Sequence, residues 1–202
     1  MSEDTFEAIG PIASHPSRFK DETGLLAELS GLLKQYNGFG MWGGTLLCMP
    51  SGTVDGVPDI ERFNSDSWKD SYPEIVQQTL FFALDVYGFP FGIRENEVVY
   101  LIPENGKLKH IADTLGQFFE RVRSEPDEIV GLTIFDEWFE AGRTFDVGQR
   151  LAPKVPFILG GGNSIDDFYV ADAFERARFN AYIYEQTKDL PDGATIQFVP
   201  EP

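Results

Sequence analysis

The chain predicts an α+β domain, and three observations carry that expectation. Strand-like runs follow one another through the middle of the sequence (Thr79 to Val86, Phe91 to Arg94, Val98 to Ile102). They are joined by short polar turns suited to hairpins, Glu95-Asn96-Glu97 and Glu104-Asn105-Gly106-Lys107. Apolar residues at helical spacing lie on either side of that run, at Leu25 to Tyr36 and at Phe174 to Tyr184. Helices segregated around consecutive strands imply a mostly antiparallel sheet with flanking helices.

Taken in order, residues 1–22 read as a leader without regular structure, with Pro11, Ser14, Pro16 and Ser17. Thr23 is placed to cap a helix over Gly24–Gln35 whose stripe is Leu25, Leu26, Leu29, Leu32, Leu33 and Tyr36, ended by Asn37-Gly38. Thr45 to Met49 reads as a strand stopped by Pro50. Residues 51–73 read as an acidic loop, in which Asp55, Asp59, Glu61, Asp66 and Asp70 meet only Arg62 and Lys69. Thr79 to Val86 is apolar on both faces, as a central strand covered on each side should be.

A short strand through Leu108 and Ile111 is expected next. Thr114 and Gln117 then form a capping-box pattern before a helix with Leu115, Phe118, Phe119 and Val122 inward. Pro126 opens a second helix to about Glu140, with Ile129, Leu132, Trp138 and Phe139 as core candidates. The last third predicts a strand-helix-strand extension: a strand at Val155 to Leu159, a glycine turn at Gly160 to Gly162, a strand at Phe168 to Val170, a helix at Asp172 to Lys188 and a strand at Thr195 to Val199. The whole chain is expected to be one domain, as its 202 residues suit.

Composition limits the function classes. With 33 acidic against 16 basic residues, the net charge of −17 repels nucleic acid and anionic lipid and attracts basic proteins. Cys48 is the single cysteine, which excludes an intrachain disulfide and suits a reducing compartment. The first residues, with Glu3, Asp4 and Glu7, lack a signal-peptide pattern, and no apolar run approaches the roughly 18 residues of a membrane helix. A cytoplasmic protein is expected.

Catalytic chemistry finds little to build on. His15 and His110 lie outside any recognised motif, and Cys48 sits between Leu47 and Met49, where a cysteine acts as a small buried hydrophobe. Gly160-Gly161-Gly162 lacks the Lys-Ser/Thr pair of a phosphate loop and is followed by Asp166 and Asp167. Those two with Asp172 match no EF-hand spacing. Asp85, alone in an apolar strand, is expected to bond backbone amides of the Tyr87-Gly88 turn, because a buried carboxylate must be hydrogen-bonded or neutralised. No catalytic residue, metal or cofactor is assigned.

Several segments together resemble the SUKH superfamily: Tyr36-Asn37-Gly38, Cys48-Met49-Pro50, the acidic segment with Trp68, and Phe81-Phe82-Ala83-x-Asp85-x-Tyr87-Gly88-x-x-Phe91. Val98 to Ile102, the Glu104-Asn105-Gly106 turn and Phe118-Phe119 continue it. The similarity spans residues 23–123, leaving residues 124–202 as a C-terminal extension. It implies a curved sheet that presents a concave face to a protein partner. Its bacterial members are mostly immunity proteins of polymorphic toxin systems, with nucleases common among the toxins.

The expected function is therefore non-catalytic neutralisation of a basic toxin. A regulatory scaffold of the same superfamily and, below it, a carboxylate-dependent hydrolase are the alternatives. Aromatics among acids mark two candidate partner surfaces. One is the loop with Asp55, Asp59, Glu61, Asp66, Trp68, Asp70 and Tyr72; the other is the strand edge with Phe89, Phe91, Glu95 and Glu97. A competitor is the segment Glu125 to Glu140, with six acids and no Lys or Arg.

Overall fold

The computed structural model describes Ile9, residues 23–191, Gly193 and Ala194. Helix α1 (Gly24–Gln35) buries Leu25, Leu29 and Leu33, an i, i+4, i+8 stripe. Thr23 precedes it with extended backbone but makes no side-chain capping bond. Past the helix, Asn37 donates Nδ2 to the Ser51 carbonyl at 3.0 Å and accepts from the Ser51 amide at 2.9 Å, pinning the entry to the sheet.

Two short strands follow, β1 (Phe39–Met41) and β2 (Leu46–Cys48), linked by a 3₁₀ turn at Trp42–Gly44. The expected acidic loop contains α2 (Ile60–Ser65) and a 3₁₀ turn at Ser67–Ser71, and α3 (Glu74–Gln77) follows it. Asp59 and Asp66 start the first two, accepting from Arg62 N at 2.8 Å and Trp68 N at 3.2 Å.

Strands β3 (Leu80–Leu84), β4 (Pro90–Arg94), β5 (Glu97–Ile102) and β6 (Lys107–Ala112) come next. All six strands form one antiparallel meander in sequence order. The expected common sheet, with α1 contributing to its core, is therefore present.

Helix α4 (Leu115–Ser124) is capped by Thr114, which accepts from Gln117 N at 3.1 Å, while the Gln117 side chain accepts from Asp113 N at 3.0 Å. The single helix expected after Pro126 is two, α5 (Pro126–Val130) and α6 (Leu132–Glu140). Gly131 between them has φ of 74°, a left-handed conformation no helix interior accommodates.

Strand β7 (Gln149–Pro153) pairs antiparallel with β8 (Phe168–Asp172), and α7 (Ala173–Thr187) starts on Asp172, which accepts from Phe174 N at 2.8 Å. The strand expected at Val155 to Leu159 is instead a 3₁₀ turn at Phe157–Leu159 entered from Pro156. The strand expected at Thr195 to Val199 lies outside the described residues.

Layering follows from the alternation of side chains along β3. Phe82 meets Phe118 of α4 with ring centroids 5.6 Å apart, whereas its neighbour Phe81 meets Trp68 at 5.5 Å. Trp68 continues to Phe63, and Phe63 to Phe174 of α7. The sheet is thus covered on both faces, as its apolar central strand requires. The extension is tied in by Leu151 N, which donates to the Val86 carbonyl at 2.9 Å.

Candidate functional site

Four predicted contact aromatics are core residues. Trp68, Tyr72, Phe89 and Phe91 are all buried, so they offer a partner no surface. Trp68 donates its indole N–H to the Phe63 carbonyl at 2.9 Å, and Tyr72 donates its hydroxyl to the Pro103 carbonyl at 3.0 Å while stacking on Tyr184 of α7. Arg176 lies over the Phe89 ring, and Phe91 packs on Phe118. Aromatic burial of this kind is the largest apolar contribution a side chain makes to a core.

The predicted acids divide. Asp59 is a buried cap, and Glu61 accepts from Ser51 Oγ at 2.6 Å and Gly52 N at 2.9 Å. Asp66 caps a 3₁₀ turn and pairs with Arg178, which holds its carboxyl below the ordinary range. Glu95 and Glu97 both pair with Arg94. Asp55 and Asp70 remain as exposed carboxylates.

The segment over α5 and α6 behaves differently. Glu125 and Glu128 reach Arg121, and Asp127 accepts from Thr133 N. Asp136, Glu137 and Glu140, however, take no ion-pair partner among the described residues. The same helix carries Phe139, which is 62% exposed although its spacing suggested a core position. In this segment an exposed aromatic and acids without an ion-pair partner among the described residues occur together.

Cys48 is buried and its thiol is pushed far above the ordinary value by desolvation. His110 faces Asp113 at 3.0 Å on the exposed side of β6, and His15 lies outside the described residues. A side chain at Gly161 would strike the Val155 carbonyl and one at Gly162 the Asp167 carboxylate, so the glycine turn closes on its own chain. Among the described residues, no group of three His, Cys, Asp or Glu is placed to hold a metal.

Asp85 is the most perturbed acid. It accepts from Tyr87 N at 2.9 Å and Phe89 N at 2.8 Å, the backbone role expected of it, and also from the Tyr100 hydroxyl at 2.7 Å. Complete burial raises its carboxyl to about 7 against those three bonds and the nearby Arg150. Arg150 and Arg176 pass alongside Gly88, both fully inside the protein. Desolvation pushes each guanidinium down to about 10, and Nε and Nη2 of Arg150 and Nη2 of Arg176 have no hydrogen-bond partner among the described residues. Sequence reasoning missed both arginines, because a charge in a short strand and another in a helix read as surface.

No family model and no curated protein matches the chain. Its fold is similar to the crystal structure of Atu4351 from Agrobacterium tumefaciens, with a TM-score of 0.57 and 13% sequence identity over 88% of this chain and 83% of that one. Likeness at this identity concerns the fold. Among the described residues, no helix is long and apolar enough to cross a membrane.

Proposed function

We propose that the chain is a non-catalytic cytoplasmic protein that binds and neutralises a basic protein toxin, in the manner of an immunity protein. The observation that carries this reading is on α6, where Asp136, Glu137 and Glu140 take no ion-pair partner among the described residues and Phe139, their neighbour in the sequence, is exposed. A net charge of −17 extends the same field over the molecule and would speed encounter with a cationic partner. The resemblance to the SUKH superfamily supports the same conclusion, and a nuclease fits the charge because its nucleic-acid site is basic.

The test is co-purification with the product of the adjacent gene, followed by a growth-rescue assay. A stoichiometric complex that weakens steeply with salt and restores growth is expected. Failure to rescue, with no complex at low salt, would reject the reading. Comparable binding to several unrelated basic proteins would favour the regulatory scaffold instead.

A further inference from the structure

A cavity of about 450 Å³ opens between the turn that joins β5 to β6, the 3₁₀ turn at Phe157–Leu159 and the C-terminal end of α7. Its size falls within the ~300–1,000 Å³ usual for small-molecule sites. Tyr184 of α7 lines it although only 8% exposed. Tyr72 stacks on that ring with centroids 4.7 Å apart, and the phenol end lies against Gly106, where a Cβ would sit 3.3 Å from the hydroxyl oxygen. The ring is thus held in place. Its hydroxyl makes no hydrogen bond among the described residues, so its partner comes from the cavity. The neighbouring polar groups are mostly donors. Asn105 commits its Oδ1 to the Lys107 amide at 3.0 Å, which leaves its Nδ2 without a protein acceptor among the described residues. Lys107 takes no ion-pair partner among them, and Lys188 lies 5.8 Å from the Tyr184 centroid while pairing with Glu185. Glu104 is the one acid in the described lining; burial holds its carboxyl above the ordinary range against the Phe157 and Ile158 amides. Ile158 and Leu190 add an apolar wall, 46% and 44% exposed.

We infer that this cavity binds a small amphipathic carboxylate, whose oxygens accept from the Tyr184 hydroxyl and Lys107 and whose apolar body covers Ile158 and Leu190. An apolar pocket with a few convergent polar groups is the usual form of such a site, and a hydrogen bond between charged groups is the stronger kind. An amine is the poorer occupant, because both lysines repel it and burial makes Glu104 a reluctant counter-charge. A polyphosphate is poorer too, since Glu104 and the last carbonyls of α7 oppose a larger negative charge. The site shares no residue with α6 and does not depend on toxin binding.

The test titrates the full chain with octanoate under amide and aromatic NMR, with octylamine and octanamide as probes of the same chain length and opposite or no charge. Octanoate should bind saturably and shift the Asn105 side-chain amide and the Tyr184 ring resonances. The two controls should bind about tenfold more weakly. Tyr184→Phe keeps the stacked ring and removes only the hydroxyl, and Lys107→Gln removes the free charge. Each should weaken octanoate binding by roughly threefold or more, and Lys107→Gln should leave octanamide binding unchanged. The Tm of Tyr184→Phe should match the native value, because the hydroxyl holds no internal bond.

Shifts that do not saturate, or that fall outside the cavity lining, would overturn the inference. Equal binding of octylamine or octanamide would do the same, as would octanoate binding unchanged in either variant. A lowered Tm in Tyr184→Phe would reveal an internal partner for the hydroxyl and would also overturn it. If octanoate binds as expected but the adjacent gene product does not, the cavity stands and the immunity reading fails. The opposite pair of results removes the cavity alone.

Discussion

Tyr100 donates its hydroxyl to Asp85 at 2.7 Å, joining the middle of β5 to the turn that leaves β3. The same carboxylate accepts two backbone amides, so all its protein donors favour the ionised form while burial opposes it. Burial prevails, and the balance makes Asp85 a reporter of pH.

The first prediction concerns that balance. The carboxyl titrates near 3.8 when exposed and near 7 in the fold, so the native state binds the extra proton between these values. Its contribution to stability is fully present below pH 4 and is lost as pH rises through 7. A difference of about three units corresponds to about 4 kcal/mol as an upper bound. Urea midpoints of native protein and Asp85→Asn, compared between pH 5 and pH 8, should show the variant gaining on the native chain as pH rises. Parallel curves would refute the assignment.

Trp68→Ala gives a second prediction, opposite to what a surface role would produce. The ring contacts Phe63, Tyr72 and Phe81, and its indole N–H is satisfied internally. Truncating it should destabilise the domain by about 3–5 kcal/mol. A denaturation curve within 1 kcal/mol of native would place Trp68 outside the core.

The legible parts of the fold were those with local signals. β3 to β6 announced themselves through apolar runs and polar turns, α1 through its leucine stripe and α7 through the apolar residues at helical spacing from Phe174 to Tyr184. β7 was hidden because Arg150 points inward at a position where alternation would demand an apolar residue. α2, α3 and the intervening turn are too short to show a period, and their capping acids, Asp59 and Asp66, read as surface charge.

The aromatics expected at a partner surface were misread for a different reason. Whether Trp68 or Tyr72 is covered depends on α7, whose residues follow by more than 100 positions. Phe139 was assigned to the core on a phase counted from α5. The left-handed Gly131 resets that phase, and the second helix presents another face.

Gly131 itself supplies the third prediction. Its φ of 74° disfavours any side chain, and a Cβ there would approach Val86 Cγ1 to 2.8 Å. Gly131→Ala should cost about 1–2 kcal/mol for the backbone alone, and more from the clash. Urea unfolding at fixed pH measures it. A variant as stable as the native chain would show that α5 and α6 join without the left-handed turn.

The last prediction couples Arg150 to Asp85. Their charges approach without forming an ion pair, and the guanidinium favours the ionised carboxylate from a distance. Arg150→Met keeps most of the apolar stem but removes the charge, so the Asp85 carboxyl should rise further. The upper end of the pH range over which stability falls must then move upward, and the midpoint of the ¹³C chemical-shift titration of the Asp85 side chain should follow it. Arg150 also donates Nη1 to the Val147 carbonyl at 3.1 Å, so the single variant loses stability from that contact too. A double-mutant cycle with Asp85→Asn separates the two effects, since only the charge coupling vanishes when Asp85 is neutral. Coupling of about 0.5–3 kcal/mol at pH 8 that shrinks at pH 5 is expected. Strict additivity at both pH values would mean that the two buried charges do not sense one another.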